Sequence, residues 1–253
     1  AVTGLVYSGS VQTGVVEPAE GYTLTGNTGT NASTTYSAIA TLETGYKWSD
    51  GATGTKTIGW TIAQKSLPMP TISPNTVTYD GTVKTTTVTV HDNERNVDLT
   101  EDTDFTVSYP VEHTNAGSVT VTITGTGNYT GTSTRELTIE AQTLSAPSNV
   151  AINTAGVVTW NAVTGATGYE ISIDGTNFST LNSSEVSARS KDYFSTIVSS
   201  VGTRTVYIKA TSTNSNYTSE SNAATANADG ITVSATMNIM AGGTITHTAP
   251  SGV

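Results

Sequence analysis

Catalysis needs a base, a nucleophile or a metal brought into one cleft, and this chain supplies few of them. It has no cysteine, and its three histidines, His91, His113 and His247, belong to no recognisable motif. Nucleophile-elbow, zincin and phosphate-loop patterns are absent. The sequence therefore predicts no enzyme, no cofactor and no metal centre. Without cysteine there are also no disulfides or thiolate sites, so stability must come from packing and hydrogen bonds.

Four other groupings could carry chemistry. Tyr46, Trp48 and Asp50 place two aromatic rings beside a carboxylate, which could stack on a sugar and accept its hydroxyls; these are the candidate ligand contacts. The competing reading has Trp48 folding back over its own sheet, because aromatics dominate burial in small cores. The acidic run Asp92, Glu94, Asp98, Glu101, Asp102 and Asp104 could gather oxygens for Ca²⁺. Arg95 interrupts it and the Asp-x-Asp-x-Asp-Gly loop is missing, so solvated loop carboxylates are expected. Lys47, Lys84 and Lys209 raise the possibility of a Lys–Asn cross-link, although solvated lysine is far commoner. Asn31-Ala32-Ser33, Asn128-Tyr129-Thr130 and Asn216-Tyr217-Thr218 match the glycosylation pattern, as chance allows in a chain so rich in Asn, Ser and Thr.

The elements that must position these groups are strands. About one residue in five is Thr, and Gly numbers 24, a composition that favours strands and turns. Val119, Val121 and Ile123 alternate with Thr120, Thr122 and Thr124, as do Ile58, Trp60 and Ile62, Ile171 and Ile173, and Val206 and Ile208 with their polar neighbours. Short alternating runs between turn residues indicate sandwiches. Tyr193, Phe194, Ile197, Val198 and Val201 instead recur near a helical period and predict one short helix.

The 253 residues, 26.1 kDa, exceed one small domain. Tyr7-Ser8-Gly9-Ser10-Val11-Gln12-Thr13 returns 72 residues later as Tyr79-Asp80-Gly81-Thr82-Val83-Lys84-Thr85. Later landmarks recur in order, Tyr22-Thr23-Leu24-Thr25 as Phe105-Thr106-Val107-Ser108 and Asn31-Ala32 as Asn115-Ala116. Extra residues before Phe105 and before Thr61 belong in loops. Two copies of one module are predicted, over 1–64 and 70–142. Proline-containing linkers, Lys65-Ser66-Leu67-Pro68-Met69-Pro70 and Thr143-Leu144-Ser145-Ala146-Pro147, follow them. Such short linkers predict modules that touch end to end as a jointed rod. A third module is expected over 145–226, and 227–253 would be a tail or the start of another. The chain opens at Ala1 without Met and is expected to be excised from something longer.

The second copy carries Tyr79-Asp80-Gly81, Asp104-Phe105-Thr106-Val107-Ser108-Tyr109, and Asn115-Ala116-Gly117-Ser118-Val119-Thr120 leading to Gly125-Thr126-Gly127-Asn128-Tyr129-Thr130-Gly131. It resembles the bacterial immunoglobulin-like repeats of surface proteins called MBG or YDG-type. The first copy resembles a divergent relative with a clipped opening strand, in which Gly45-Tyr46-Lys47-Trp48-Ser49-Asp50-Gly51 replaces the Gly-Asn-Tyr-Thr-Gly segment. Residues 145–226, with Val158-Thr159-Trp160, Gly168-Tyr169-Glu170-Ile171-Ser172-Ile173 and Val206-Tyr207-Ile208-Lys209-Ala210, are similar to a fibronectin type III domain.

These resemblances imply an all-β protein of tandem immunoglobulin-like sandwich modules in an elongated array. The implied role is a non-catalytic spacer of a bacterial secreted or cell-surface protein, placed extracellularly or at the cell wall. The alternatives are adhesion or carbohydrate-binding modules, or an accessory region of an extracellular glycan-degrading enzyme. Partners would then be glycans or host or cell-surface proteins, bound by a monomer. A net charge of -10 argues against nucleic acid, and no apolar run is long enough to insert in a membrane.

Overall fold

The computed structural model describes residues 1–153, 156–192 and 204–228. Its regular structure is β-strand throughout except for one α-helix, Ser183–Ala188, among the described residues. No described helix is long and apolar enough to cross a membrane. The all-β architecture with one short helix matches the expectation from the sequence. The segment 193–201, where that helix was expected, lies outside the described residues. The observed helix follows Asn182, whose side chain accepts from the Ser184 and Glu185 amides while Glu185 reaches back to the Asn182 amide. This capping box satisfies the first-turn donors in a six-residue helix that buries no residue. A search for apolar periodicity passes over such a helix.

The described residues form two compact units, one of Ala1–Val77 with Thr82–Ile139, the other of Thr78–Gly81 with the described residues from Glu140 onward. In the first unit, Ser33–Leu42 is the central strand between Tyr22–Thr25 and Lys56–Ile62, all antiparallel. Ala38, Ala40, Trp60 and Ile62 face inward. Tyr36 stacks on Trp60, its cross-strand partner, at 4.2 Å. Gly14 also lies against the Trp60 ring, where an added Cβ would lie 1.9 Å from the indole.

Residues 76–140 form a second sheet in the order Phe105–Ser108, Gly117–Gly125, Thr132–Glu140, Thr76–Thr78. The alternation read from sequence sets its faces. Val119, Val121 and Ile123 are buried with Leu137 and Ile139, while Thr120 is exposed and Thr122 and Thr124 are half-exposed. Roughly 1.5–3 kcal/mol per large buried aliphatic holds each such face against its partner.

The second unit has a four-stranded sheet, Ser179–Thr180, Gly168–Ser172, Arg204–Thr211 and Ala224–Ala228, and a three-stranded one, Ala151–Ile152, Val157–Thr159 and Ser190–Asp192. Val158, Trp160, Tyr169, Ile171, Val206 and Ile208 make its core. Trp160 packs at 5.3 Å on Tyr169, and its buried indole N–H has no hydrogen-bond partner. The last described strand runs through Ala228, past the module end expected at 226. The hairpin positions Ile231, Val233, Gly242-Gly243 and Ile245, and also His247, lie outside the described residues.

Candidate functional site

Tyr46, Trp48 and Asp50 sit in the loop between Ser33–Leu42 and Lys56–Ile62. Trp48 folds back as the competing reading expected. Its ring lies 5.3 Å from Tyr22, Lys56 sits over it, and its N–H donates to the Gly54 carbonyl. Asp50 accepts from Lys56 Nζ at 2.7 Å and from the Ala52 amide, and these bonds lower its carboxyl pKa. The carboxylate is thus tied to its own loop. Tyr46 remains exposed, and its hydroxyl donates to Glu20 at 2.9 Å. That bond, slight desolvation and the Glu43 charge raise its pKa above the usual phenol value.

The densest polar cluster lies elsewhere, where residues 1–67 meet residues 92–130 in the first unit. Asp92 is 1% exposed. Lys65 Nζ donates to both its oxygens at 2.7 and 2.9 Å, the Tyr129 hydroxyl donates at 2.8 Å, and the Glu94 and Arg95 amides complete the set. Arg95 donates to the Tyr129 oxygen at 2.7 Å and covers the Tyr7 ring, which meets Tyr129 edge-on at 5.6 Å. Burial pushes the Asp92 carboxyl up, but the bonds from Lys65, Tyr129 and Arg95 outweigh it and hold the group below the usual carboxylate range. Burial and the Asp92 bond push Tyr129 up to about 12 against the opposing pull of Arg95. Beside the cluster opens a cleft of about 680 Å³ lined by residues 6–8, 65–68 and 92–95.

A backbone arrangement underlies this cluster. Lys65–Ser66 pairs in parallel with Tyr129–Thr130, so the Lys65 amide donates to Asn128 and the Leu67 amide to Thr130. Upstream, the Tyr7 amide donates to Ala63. Gln64 adds two side-chain bonds, to the Gly127 and Tyr129 carbonyls. The second unit contains the same arrangement in the repeat's own register. The Tyr79 amide donates to Glu140, Gln142 to Asn216, and Leu144 to the Thr218 hydroxyl, while Tyr79 meets Tyr217 edge-on at 5.6 Å. Asn-Tyr-Thr, which reads as a glycosylation pattern, is thus a turn that receives a linker strand. Asn128 is further engaged by Ala32 and Asn31.

The remaining candidates disperse. In the acidic insert Asp92 is buried in the cluster, Glu94 pairs with Lys65, Asp98 with His91, and Asp104 accepts from Thr100. The expectation of solvated loop carboxylates fails for Asp92, because Lys65, Tyr129 and two amides replace water around it. His113 bonds Pro110 and stacks on Tyr109. Lys209 pairs with Glu170 and Glu220 under the Phe178 ring. Lys65, Arg95, Tyr7 and Tyr129 were missed as a group. No local pattern marked them, since Lys65 and Tyr129 lie 27 and 37 residues from Asp92 in the chain. In comparison with known proteins, no family model and no curated protein sequence matches this chain.

Proposed function

We propose that the chain is a non-catalytic structural segment, a spacer that holds distal domains of a bacterial secreted or cell-surface protein away from the cell. The observation that carries this reading is the linker built into the fold. Lys65–Ser66 is hydrogen-bonded as a strand, and a desolvated ion pair fastens it. A tether that only joined two independent domains would need neither feature. The immunoglobulin-like and fibronectin-like resemblance supports an extracellular setting, and the sparse charge on Thr-rich strand faces suits a hydrated, inert surface.

The test uses spin labels at Ser49 and Val111, both exposed, introduced as cysteines into a chain that has none of its own. A narrow distance distribution that broadens in Asp92→Ala supports the spacer. A distribution already broad in the parent chain would refute it. Adhesion or carbohydrate binding is the second reading, and the observation favouring it is the run of Tyr46, Tyr22 and Trp48 flanked by Glu20 and Glu43. Specific retention on a glycan or host-protein array, lost in Trp48→Ala with the fold intact, would establish it instead.

A further inference from the structure

Among the described residues, three turns end in a tyrosine whose amide donates to the residue three before it. They are Thr126–Tyr129, Asn214–Tyr217 and Glu43–Tyr46. Each follows a long strand of its sheet, Gly117–Gly125, Arg204–Thr211 and Ser33–Leu42. The first two turns receive a linker strand on their backbone and a second tyrosine edge-on against their ring. Tyr129 is fully buried as a result.

The third turn has the same equipment and no occupant among the described residues. Tyr46 is 44% exposed. Gly45 and Lys47 occupy the positions of Asn128 and Thr130, and their carbonyls accept no hydrogen bond among the described residues. The Tyr46 hydroxyl donates to Glu20 as the Tyr129 hydroxyl donates to Asp92, and the two acids stand at the repeat offset. In the occupied turn that acid receives the linker lysine, Lys65. In the second turn the residue at the Lys65 position is the neutral Gln142, whose backbone amide donates to the Asn216 carbonyl as the Lys65 amide donates to Asn128.

We infer that the Gly45–Lys47 turn with Glu20 is an acceptor for an extended basic peptide of the linker type. Such a peptide, with the pattern Ala-Gln-Lys-Ser-Leu, runs parallel to the turn and donates amides from alternate residues to the Gly45 and Lys47 carbonyls. Its lysine meets Glu20. This is strand addition on a turn, with main-chain bonds giving affinity and one charge giving register. The local carboxylates Glu20 and Glu43 favour a cationic segment over an acidic one. The inference makes Tyr46 a contact for polypeptide rather than for sugar, and it stands independently of the spacer reading.

The test is nuclear magnetic resonance of the ¹⁵N-labelled full chain titrated with a synthetic peptide of residues 62–69, IAQKSLPM. A short tether supplies the linker at roughly millimolar effective concentration, so a contact that stays formed needs half-saturation at or below about millimolar peptide. Shifts should centre on Glu20, Gly45, Tyr46 and Lys47, and K65Q in the peptide should weaken binding about fivefold at low salt. A peptide N-methylated at the lysine and leucine nitrogens should lose binding altogether, as should Tyr46→Ala in the protein. The inference is overturned by silence at these amides up to about 10 mM peptide. Equal binding of the N-methylated peptide would overturn it too, and so would a glycan that moves these amides when the peptide does not.

Discussion

Replacing Asp92 with alanine should cost the first unit about 3 kcal/mol, the lower end of the range for breaking a buried pair. The side chain receives Lys65, the Tyr129 hydroxyl and the Glu94 and Arg95 amides, and it is 1% exposed. Its loss strands the Lys65 ammonium, whose side chain is only 14% exposed. Two features soften the penalty. Glu94 lies 2.8 Å from Lys65 Nζ, and Tyr129 keeps its bond from Arg95. At about 3–4 °C per kcal/mol for a unit of this size, the melting midpoint should fall by about 10 °C. Guanidinium unfolding followed by the fluorescence of Trp48 and Trp60 reads the change. Lys65→Met alone should cost less, since Asp92 keeps its hydroxyl and amide donors. The double variant should be more stable than the sum of the two singles by about 1–3 kcal/mol. A cost below about 1 kcal/mol for Asp92→Ala, with additive effects in the double variant, would show that the cluster is solvated and the reasoning wrong.

Gly14→Ala should destabilise by about 1–3 kcal/mol and shift Trp60 emission, because the new Cβ falls on the indole; an unchanged denaturation midpoint would mean that the contact relaxes freely. Asn182→Ala removes the side chain that caps Ser183–Ala188 and should cost the second unit about 1 kcal/mol, seen as faster amide exchange at Ser184 and Glu185. Stability should also be flat across neutral pH and fall at both ends. The Asp92 carboxyl titrates lower in the folded chain than unfolded, so its contribution is present above about pH 4 and lost in more acid solution. Tyr129 titrates higher when folded, so its contribution holds below about pH 10 and is lost as pH rises toward 12. Tyr129→Phe should reduce the alkaline loss in a urea-unfolding series.

Strand faces were legible because period-two alternation is a local property, except at Ile173, which is exposed just past the strand Gly168–Ser172 while Ser172 is buried. Val119, Val121 and Ile123 announce their own burial, and Trp160, Tyr169, Ile171, Val206 and Ile208 announce the second core. The helix Ser183–Ala188 was not legible, because Asn182 and Glu185 make it by capping rather than by burying a face. Tyr46, Trp48 and Asp50 were correctly placed in one loop, but their sequence does not say that Lys56 claims the carboxylate. The Asp92 cluster escaped because its charge partner comes from a linker 27 residues away and its aromatic partner from 37 residues away. No local pattern records that a carboxylate in a polar loop will be roofed by strands formed later. The repeat does not record it either, because Glu20, at the same distance from Tyr7 as Asp92 from Tyr79, is exposed.

The parallel pairing of linker and turn also sets an order of events during synthesis. Gln64 leaves the ribosome 63 residues before Gly127, and Leu144 leaves 74 residues before Thr218. At roughly 5–20 residues per second, each linker waits on the order of several seconds to over ten before its acceptor exists. During that interval it is an open strand edge, the kind of surface that recruits the wrong neighbour. The lysine at position 65 then serves the nascent chain before it serves the folded one. A charge on an exposed edge discourages pairing with strangers, and only a turn that carries a buried acid rewards its desolvation. The same residue guards the edge while it is open and helps to close it.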